Sequence, residues 1–136
     1  MILCDTDPLI ALIIQNDQHH TRCVAALQTL PDQPLITTWP CFTEAMYLLS
    51  RAGGLPAQDE LWGFLVDGLI QVHACGGAET ERMRELMHQY RDTPMDVADA
   101  SLVAAAEVLG ESQIFSLDGH FHVYRIHGRH SFQVIP

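Results

Sequence analysis

The sequence has no lysine: its seven basic residues are all arginine, against seventeen aspartates and glutamates, for a formal net charge of −10 with histidine neutral. A chain this acidic repels a phosphate backbone unless its negative charge is concentrated where metal ions neutralise it, so any nucleic-acid contact has to be local and cation-dependent. Cysteine is sparse. Cys4, Cys23, Cys41 and Cys75 stand far apart with no C-x-x-C pair, which excludes a zinc knuckle and a dithiol redox motif and leaves buried thiols in a reducing compartment. No apolar run reaches the roughly 18 residues that a membrane-spanning helix needs, and no basic region precedes the first apolar stretch, so we expect a soluble, cytoplasmic protein with no membrane role. Repeats and low-complexity linkers are missing too, and the composition does not shift midway.

What the chain does have is material for a core. Hydrophobic residues make up 48% and charged residues 18% of its 136 positions, which is the balance of a globular domain rather than of a disordered tail. That length suits one domain spanning residues 1–136.

Met1 to Cys4 is a short apolar strand ending at Asp5, and Pro8 opens a helix through Leu9 to Ile14. After a polar break at Asn16 to His20, Cys23, Ala26, Leu27 and Leu30 recur at helical spacing. Leu35 to Thr38 reads as a strand, and Pro40 starts a helix through Cys41 to Ser50 that Gly53 and Gly54 end. A further helix is expected from about Ala57 and a weakly patterned strand over Leu69 to Ala74. Glu79 to Tyr90 reads as a surface helix, Met95 to Leu109 as an Ala-rich helix stopped at Gly110, and Gln113 to Leu117 and Ser131 to Ile135 as the last strands. Strands alternating with helices imply a mostly parallel sheet with helices on its faces, an α/β fold.

In such a sheet ligands sit beyond the carboxyl ends of the strands. Asp5 ends the first strand, Glu44 lies early in the helix after the second, Asp99 lies early in the Ala-rich helix and Asp118 ends the following strand. Grouped carboxylates raise one another's pKa, a cost that a hard divalent cation reverses. Local chemistry also accounts for most of these acids. Asp5 reads equally as a turn or cap residue, Asp7 before Pro8 as an N-cap, Asp96 and Asp99 as a capping box, and Asp118-Gly119 as a turn. Glu44 has no such reading, because its helix is apolar nearly all round and should be buried, with no arginine at helical spacing to pair with it.

The runs Ile2-Leu3-Cys4-Asp5-Thr6-Asp7-Pro8-Leu9-Ile10-Ala11-Leu12, Thr43-Glu44-Ala45, Asp96-Val97-Ala98-Asp99-Ala100-Ser101-Leu102 and Ser116-Leu117-Asp118 together resemble the PIN-domain ribonucleases, and most of all the VapC-type toxins of type II toxin–antitoxin pairs. The resemblance implies a compact α/β/α sandwich, RNA phosphodiester hydrolysis, an acidic tetrad at Asp5, Glu44, Asp99 and Asp118 that binds Mg²⁺ or Mn²⁺, a cognate antitoxin protein and a homodimer. Asp7 and Asp96 are possible accessory ligands; Asp7 stands where family members often carry a small residue. Ser116 is read as a partner for a carboxylate, a phosphate or only the backbone. The scarcity of positive charge leaves RNA contact to residues such as Arg22, Arg51, Arg125 and Arg129. The histidines, including His19, His20, His120, His122, His127 and His130, match no zinc spacing and read as surface or structural groups. The exposed parts of Leu55 to Phe64 and of the helix from Glu79 are candidate interfaces.

Two other readings compete. Asp5-Thr6-Asp7 after a strand also resembles haloacid-dehalogenase-like phosphatases, although Glu44 and Asp99 have no place there and the lysine that scheme needs is missing. A PIN-like, non-catalytic binding module is the other.

Overall fold

The computed structural model describes every residue from Met1 to Pro136. In chain order its elements are β1 (Ile2–Cys4), α1 (Thr6–Ile13), α2 (His20–Thr29), β2 (Leu35–Thr38), α3 (Trp39–Ala52), α4 (Gly54–Val66), β3 (Ile70–His73), α5 (Gly77–Gln89), α6 (Val97–Leu109), β4 (Gln113–Phe115), a 3-10 turn (Gly119–His122), β5 (Arg125–Ile126), β6 (His130–Ser131) and β7 (Gln133–Ile135). Five strands form one sheet in the order β3-β2-β1-β4-β7, and each neighbouring pair is parallel. All carboxyl ends therefore lie along one edge.

Period-two alternation divides the strand side chains between two cores. Ile2 and Cys4 of β1, Leu35 of β2 and Phe115 of β4 pack with Leu9, Phe42, Leu49 and Leu61 from α1, α3 and α4. Leu3, Ile36 and Ile114 point the other way, toward Leu86 of α5, Leu102 and Val103 of α6, and Phe121 and Tyr124 beyond them. Helices thus cover both faces of a parallel sheet, and its central strands β1 and β2 are buried on both sides. No helix is long and apolar enough to cross a membrane.

Several boundaries differ from the sequence reading, each for a local reason. Helix α1 begins at Thr6, with Asp5 as its N-cap accepting the Thr6 N–H at 2.7 Å. Asp7 is therefore inside the first turn and is not the cap. Pro8 is tolerated there because N–H groups of a first turn have no intrahelical acceptor. Helix α6 starts at Val97 rather than Met95, since Asp96 caps it by accepting the Asp99 N–H at 2.8 Å. Helix α4 begins at Gly54, directly after α3, rather than at Ala57.

The segment between β4 and β7 holds structure that the apolar pattern does not reveal. Arg125 pairs with Ser131 and Ile126 with His130 in an antiparallel ribbon. His127 and Gly128, at φ 53° and 70°, make its turn, the positive-φ pair of a tight hairpin. This ribbon is clasped to α6 by Glu107, which accepts from the His127 N–H at 2.7 Å and pairs with Arg82 of α5 at 2.8 and 3.1 Å.

Candidate active site

Asp5, Asp99 and Asp118 each offer a carboxylate oxygen to one cluster in which these atoms lie within 4.8 Å of one another. They come from three places along the carboxyl edge of the sheet. Asp5 follows β1, Asp118 lies three residues beyond β4, and Asp99 sits in the first turn of α6. Asp5 and Asp99 are buried, while Asp118 is half-buried.

Each acid is held by specific donors. Ser116 donates its hydroxyl to Asp5 Oδ2 at 2.8 Å and accepts the Asp118 N–H at 3.0 Å, so one side chain fixes the spacing of two acids. Tyr124 donates to Asp99 Oδ2 at 3.0 Å. The backbone N–H of His120 donates to Asp118 Oδ1 at 2.9 Å, and His120 Nδ1 lies 3.0 Å from the same oxygen. Beneath the cluster, the Thr38 hydroxyl donates to Ser101, which in turn donates to the Ala98 carbonyl, both at 2.6 Å, tying α6 to the end of β2. Anchoring of this kind keeps first-contact groups from wandering.

Glu44 is placed differently from the other acids. It is exposed rather than buried, because α3 is not apolar all round: Trp39 and Tyr47 are also exposed on it. Its partner is Thr6, which donates its hydroxyl to Glu44 Oε2 and to the Cys41 carbonyl, each at 3.3 Å. Glu44 lies outside the three-acid cluster. Its link to the cluster is Thr6, whose own N–H is donated to Asp5 Oδ1 at 2.7 Å. Asp7 and Asp96 are exposed and also lie outside the cluster, and one Asp96 oxygen is committed to capping α6.

The electrostatics follow from crowding in a dry place. Burial, ahead of the Asp99 and Asp7 charges, pushes Asp5 up to about 7 despite the hydrogen bonds from Thr6 and Ser116. Burial and then Asp96 push Asp99 up to about 6. Partial desolvation, although both are exposed at the surface, raises Asp7, with the Asp118 charge next in effect, and Glu44, with Asp96 next. No arginine pairs with any of these acids: Arg82 is the only arginine in an ion pair, and its partners are Glu85 and Glu107. Carboxylates that converge without an arginine among them form an oxygen donor set suited to a hard divalent cation. Cys41, below them, is pushed up to about 12 by burial and then Asp5, so its thiol stays protonated.

The residues singled out as RNA contacts are dispersed. Arg22 and Arg129 are exposed; Arg51 lies over the Tyr47 ring at 5.9 Å. Arg125 donates to the carbonyls of His122, Val123 and Tyr124, which closes the end of the 3-10 turn. Sequence reasoning missed Thr6, His120 and Tyr124. Thr6 stands in plain view between Asp5 and Asp7, whereas Tyr124 belongs to no motif and reaches Asp99 across 25 residues of chain.

Comparison with known proteins gives a consistent picture. No family model matches the chain. The chain is 26% identical over 136 residues to Ribonuclease VapC26 of Mycobacterium tuberculosis (strain ATCC 25618 / H37Rv), covering 99% of this chain and 100% of that protein. Its fold superposes on M. tuberculosis VapC20, a sarcin-ricin loop cleaving toxin, with a TM-score of 0.81 at 20% identity, over 88% of this chain and 91% of the other. Superposition on Rickettsia felis VapBC2, solved with a DNA fragment from its promoter, gives a TM-score of 0.66 at 10% identity over the full length of both chains.

Proposed function

We infer that this chain, a VapC-type protein of the PIN-domain fold, is a ribonuclease toxin that hydrolyses RNA phosphodiester bonds and is neutralised by a cognate antitoxin. The observation that carries the reading is the convergence of Asp5, Asp99 and Asp118 within 4.8 Å with no arginine or lysine beside them. Full-length kinship to a protein named a ribonuclease supports it.

In this reading Asp5, Asp99 and Asp118 would hold Mg²⁺ or Mn²⁺, and Glu44, tied through Thr6 to the turn at Asp5, completes the catalytic acids. A divalent cation bound there supplies an acidified water and neutralises charge developing on the phosphate. The protein's own part is positional. Ser116 and Tyr124 hold Asp5 and Asp99 in place, Thr6 steadies Glu44, and Asp96 acts by capping α6, which aims Asp99. Without a bound cation these acids would repel one another and the RNA alike. Exposed apolar side chains on α3 and α4, among them Trp39, Tyr47, Leu55 and Trp62, support a protein partner on that side, whether antitoxin or a second copy in a homodimer. The whole of residues 1–136 acts as one PIN-like domain in the cytoplasm.

The deciding experiment compares wild type with Asp5→Asn on defined RNAs, with Mg²⁺ or Mn²⁺ and with chelator. Asn keeps the shape and removes the charge, so we expect chelator-sensitive cleavage in the wild type and a loss of at least about 100-fold in the variant, the scale of removing one electrostatic stabiliser. Cleavage by Asp5→Asn at the wild-type rate would reject the assignment. A protein that neither cuts RNA nor gains stability from divalent cations would instead be a non-catalytic binding module.

A further inference from the structure

Beside the acid cluster lies a cavity of about 420 Å³ lined by Asp7, Ile10, Asp17, Gln18, His19, Leu48, Ala52 and Leu117. It adjoins the site along the chain at two points: Leu117 immediately precedes Asp118, and Asp7 follows Asp5 by two residues. Its lining is of two kinds. Ile10, Leu48, Ala52 and Leu117 give apolar lining, and Asp7, Asp17, Gln18 and His19 give polar lining. That pairing of apolar contact with a few directional polar groups is what an unstacked nucleobase needs, since single-stranded RNA is read by contact with the base face and by hydrogen bonds to exposed base edges.

The polar part of the lining bears on which base edge it fits. Asp17 Oδ1 accepts the His19 N–H at 2.8 Å, and His20 Nδ1 lies 2.7 Å from the Ala11 carbonyl, so the loop from Asp17 to His20 is fixed before any ligand arrives. Asp7, in contrast, has no intramolecular hydrogen-bond partner, and its carboxylate is free to accept from a ligand. Two acceptor oxygens side by side match two adjacent donors. Among the four RNA bases only guanine presents an imino N–H next to an amino group on its pairing edge, whereas adenine and cytosine each offer a single amino group there.

The geometry points to a recognition pocket for an unpaired guanine next to the scissile phosphate, with the Asp7 carboxylate accepting from its N1–H and N2 amino groups. This rests on the ribonuclease reading above and adds to it a base preference. Leu48, Leu117 and Ile10 supply the surface on which the ring lies, and the closed α1–α2 loop forms the wall. The acidic character of the chain, unhelpful toward phosphates, becomes selective here because a base edge bearing donors is the part of RNA that a carboxylate attracts.

The test sequences the ends produced from an RNA pool with randomised single-stranded positions. Wild type is expected to cut next to guanine, with a preference of roughly 5- to 150-fold, the range for one bidentate base contact. Asp7→Asn, which replaces one acceptor by a donor, and Ala52→Phe, which fills the cavity from its exposed wall, should each flatten that preference. Recognition is separated from cutting by measuring binding of short RNAs to the Asp5→Asn protein, where exchanging guanine for inosine removes the N2 amino group and should weaken binding as Asp7→Asn does. Cleavage without base bias, bias toward another base, or guanine bias that survives both variants would overturn the pocket. Absence of chelator-sensitive cleavage in the wild type would instead overturn the ribonuclease reading itself.

Discussion

Tyr124 donates its hydroxyl to Asp99 Oδ2 at 3.0 Å from a ring that is completely buried. Burial, followed by the Asp99 charge, pushes the Tyr124 phenol far above its ordinary range, so it remains a donor at every working pH. Its ring is locked edge-on against Tyr90 and Phe121, at centroid distances of 5.0 and 5.2 Å. Asp99 is therefore aimed from outside its own helix.

Tyr124→Phe should keep the ring packing and lose only the aim. Groups that orient a metal-binding side chain typically change affinity or activity about 10- to 100-fold. We expect the divalent-cation concentration for half-maximal cleavage to rise by that order while the metal-free melting temperature shifts little. Unchanged cation dependence in this variant would show that Asp99 needs no such support.

The acids also set a pH dependence. Asp5 and Asp99 are raised from 3.8 to about 7 and about 6, so between the unfolded and folded values the native protein binds more protons than the unfolded chain. Stability from these groups is complete below the unfolded value and is lost as pH rises through about 6 and then about 7. Glu107, lowered chiefly by its hydrogen bonds from Arg82 once burial is overcome, contributes the opposite slope, and only at acid pH. Calorimetry from about pH 5 to about pH 8 should show the metal-free melting temperature falling, with less decline in Asp5→Asn. Mn²⁺ should add most stability at the upper end, where it no longer competes with protons. A cation effect that shrinks as pH rises would contradict this.

Gly110 tests the end of α6 without touching the acids. It closes the helix at φ 65°, and an added Cβ there would meet nothing within 4 Å. Gly110→Ala therefore probes backbone strain alone, which costs about 1 to 2 kcal/mol for a left-handed residue with a side chain. A melting temperature lowered by several degrees with the cation dependence of cleavage unchanged is the expected result; no loss of stability would mean that the helix end relaxes freely.

The parallel layout was legible because β1, β2 and the start of α3 carry clean apolar runs bounded by Pro, Asp and Gly. The same pattern led from Asp5 and Asp118 at strand ends to a shared edge. The burial of Glu44 was misjudged because its helix looks apolar in composition, whereas Trp39 and Tyr47 spend their bulk at the surface. The ribbon at Arg125 to Ser131 left almost no periodic trace, being two residues per strand. Nor could spacing reveal that Tyr124, just before this ribbon, would reach Asp99.

The order of the acids along the chain has a practical outcome. Asp5 and Glu44 precede the turn at Asp67-Gly68, and Asp99 and Asp118 follow it, while β1 and β2 from before the turn lie in one sheet between β3 and β4 from after it. A protein divided at that turn yields two pieces, each with half of the acids and neither able to assemble the three-acid cluster alone. Restored RNA cutting on mixing the fragments would thus report their reassembly directly.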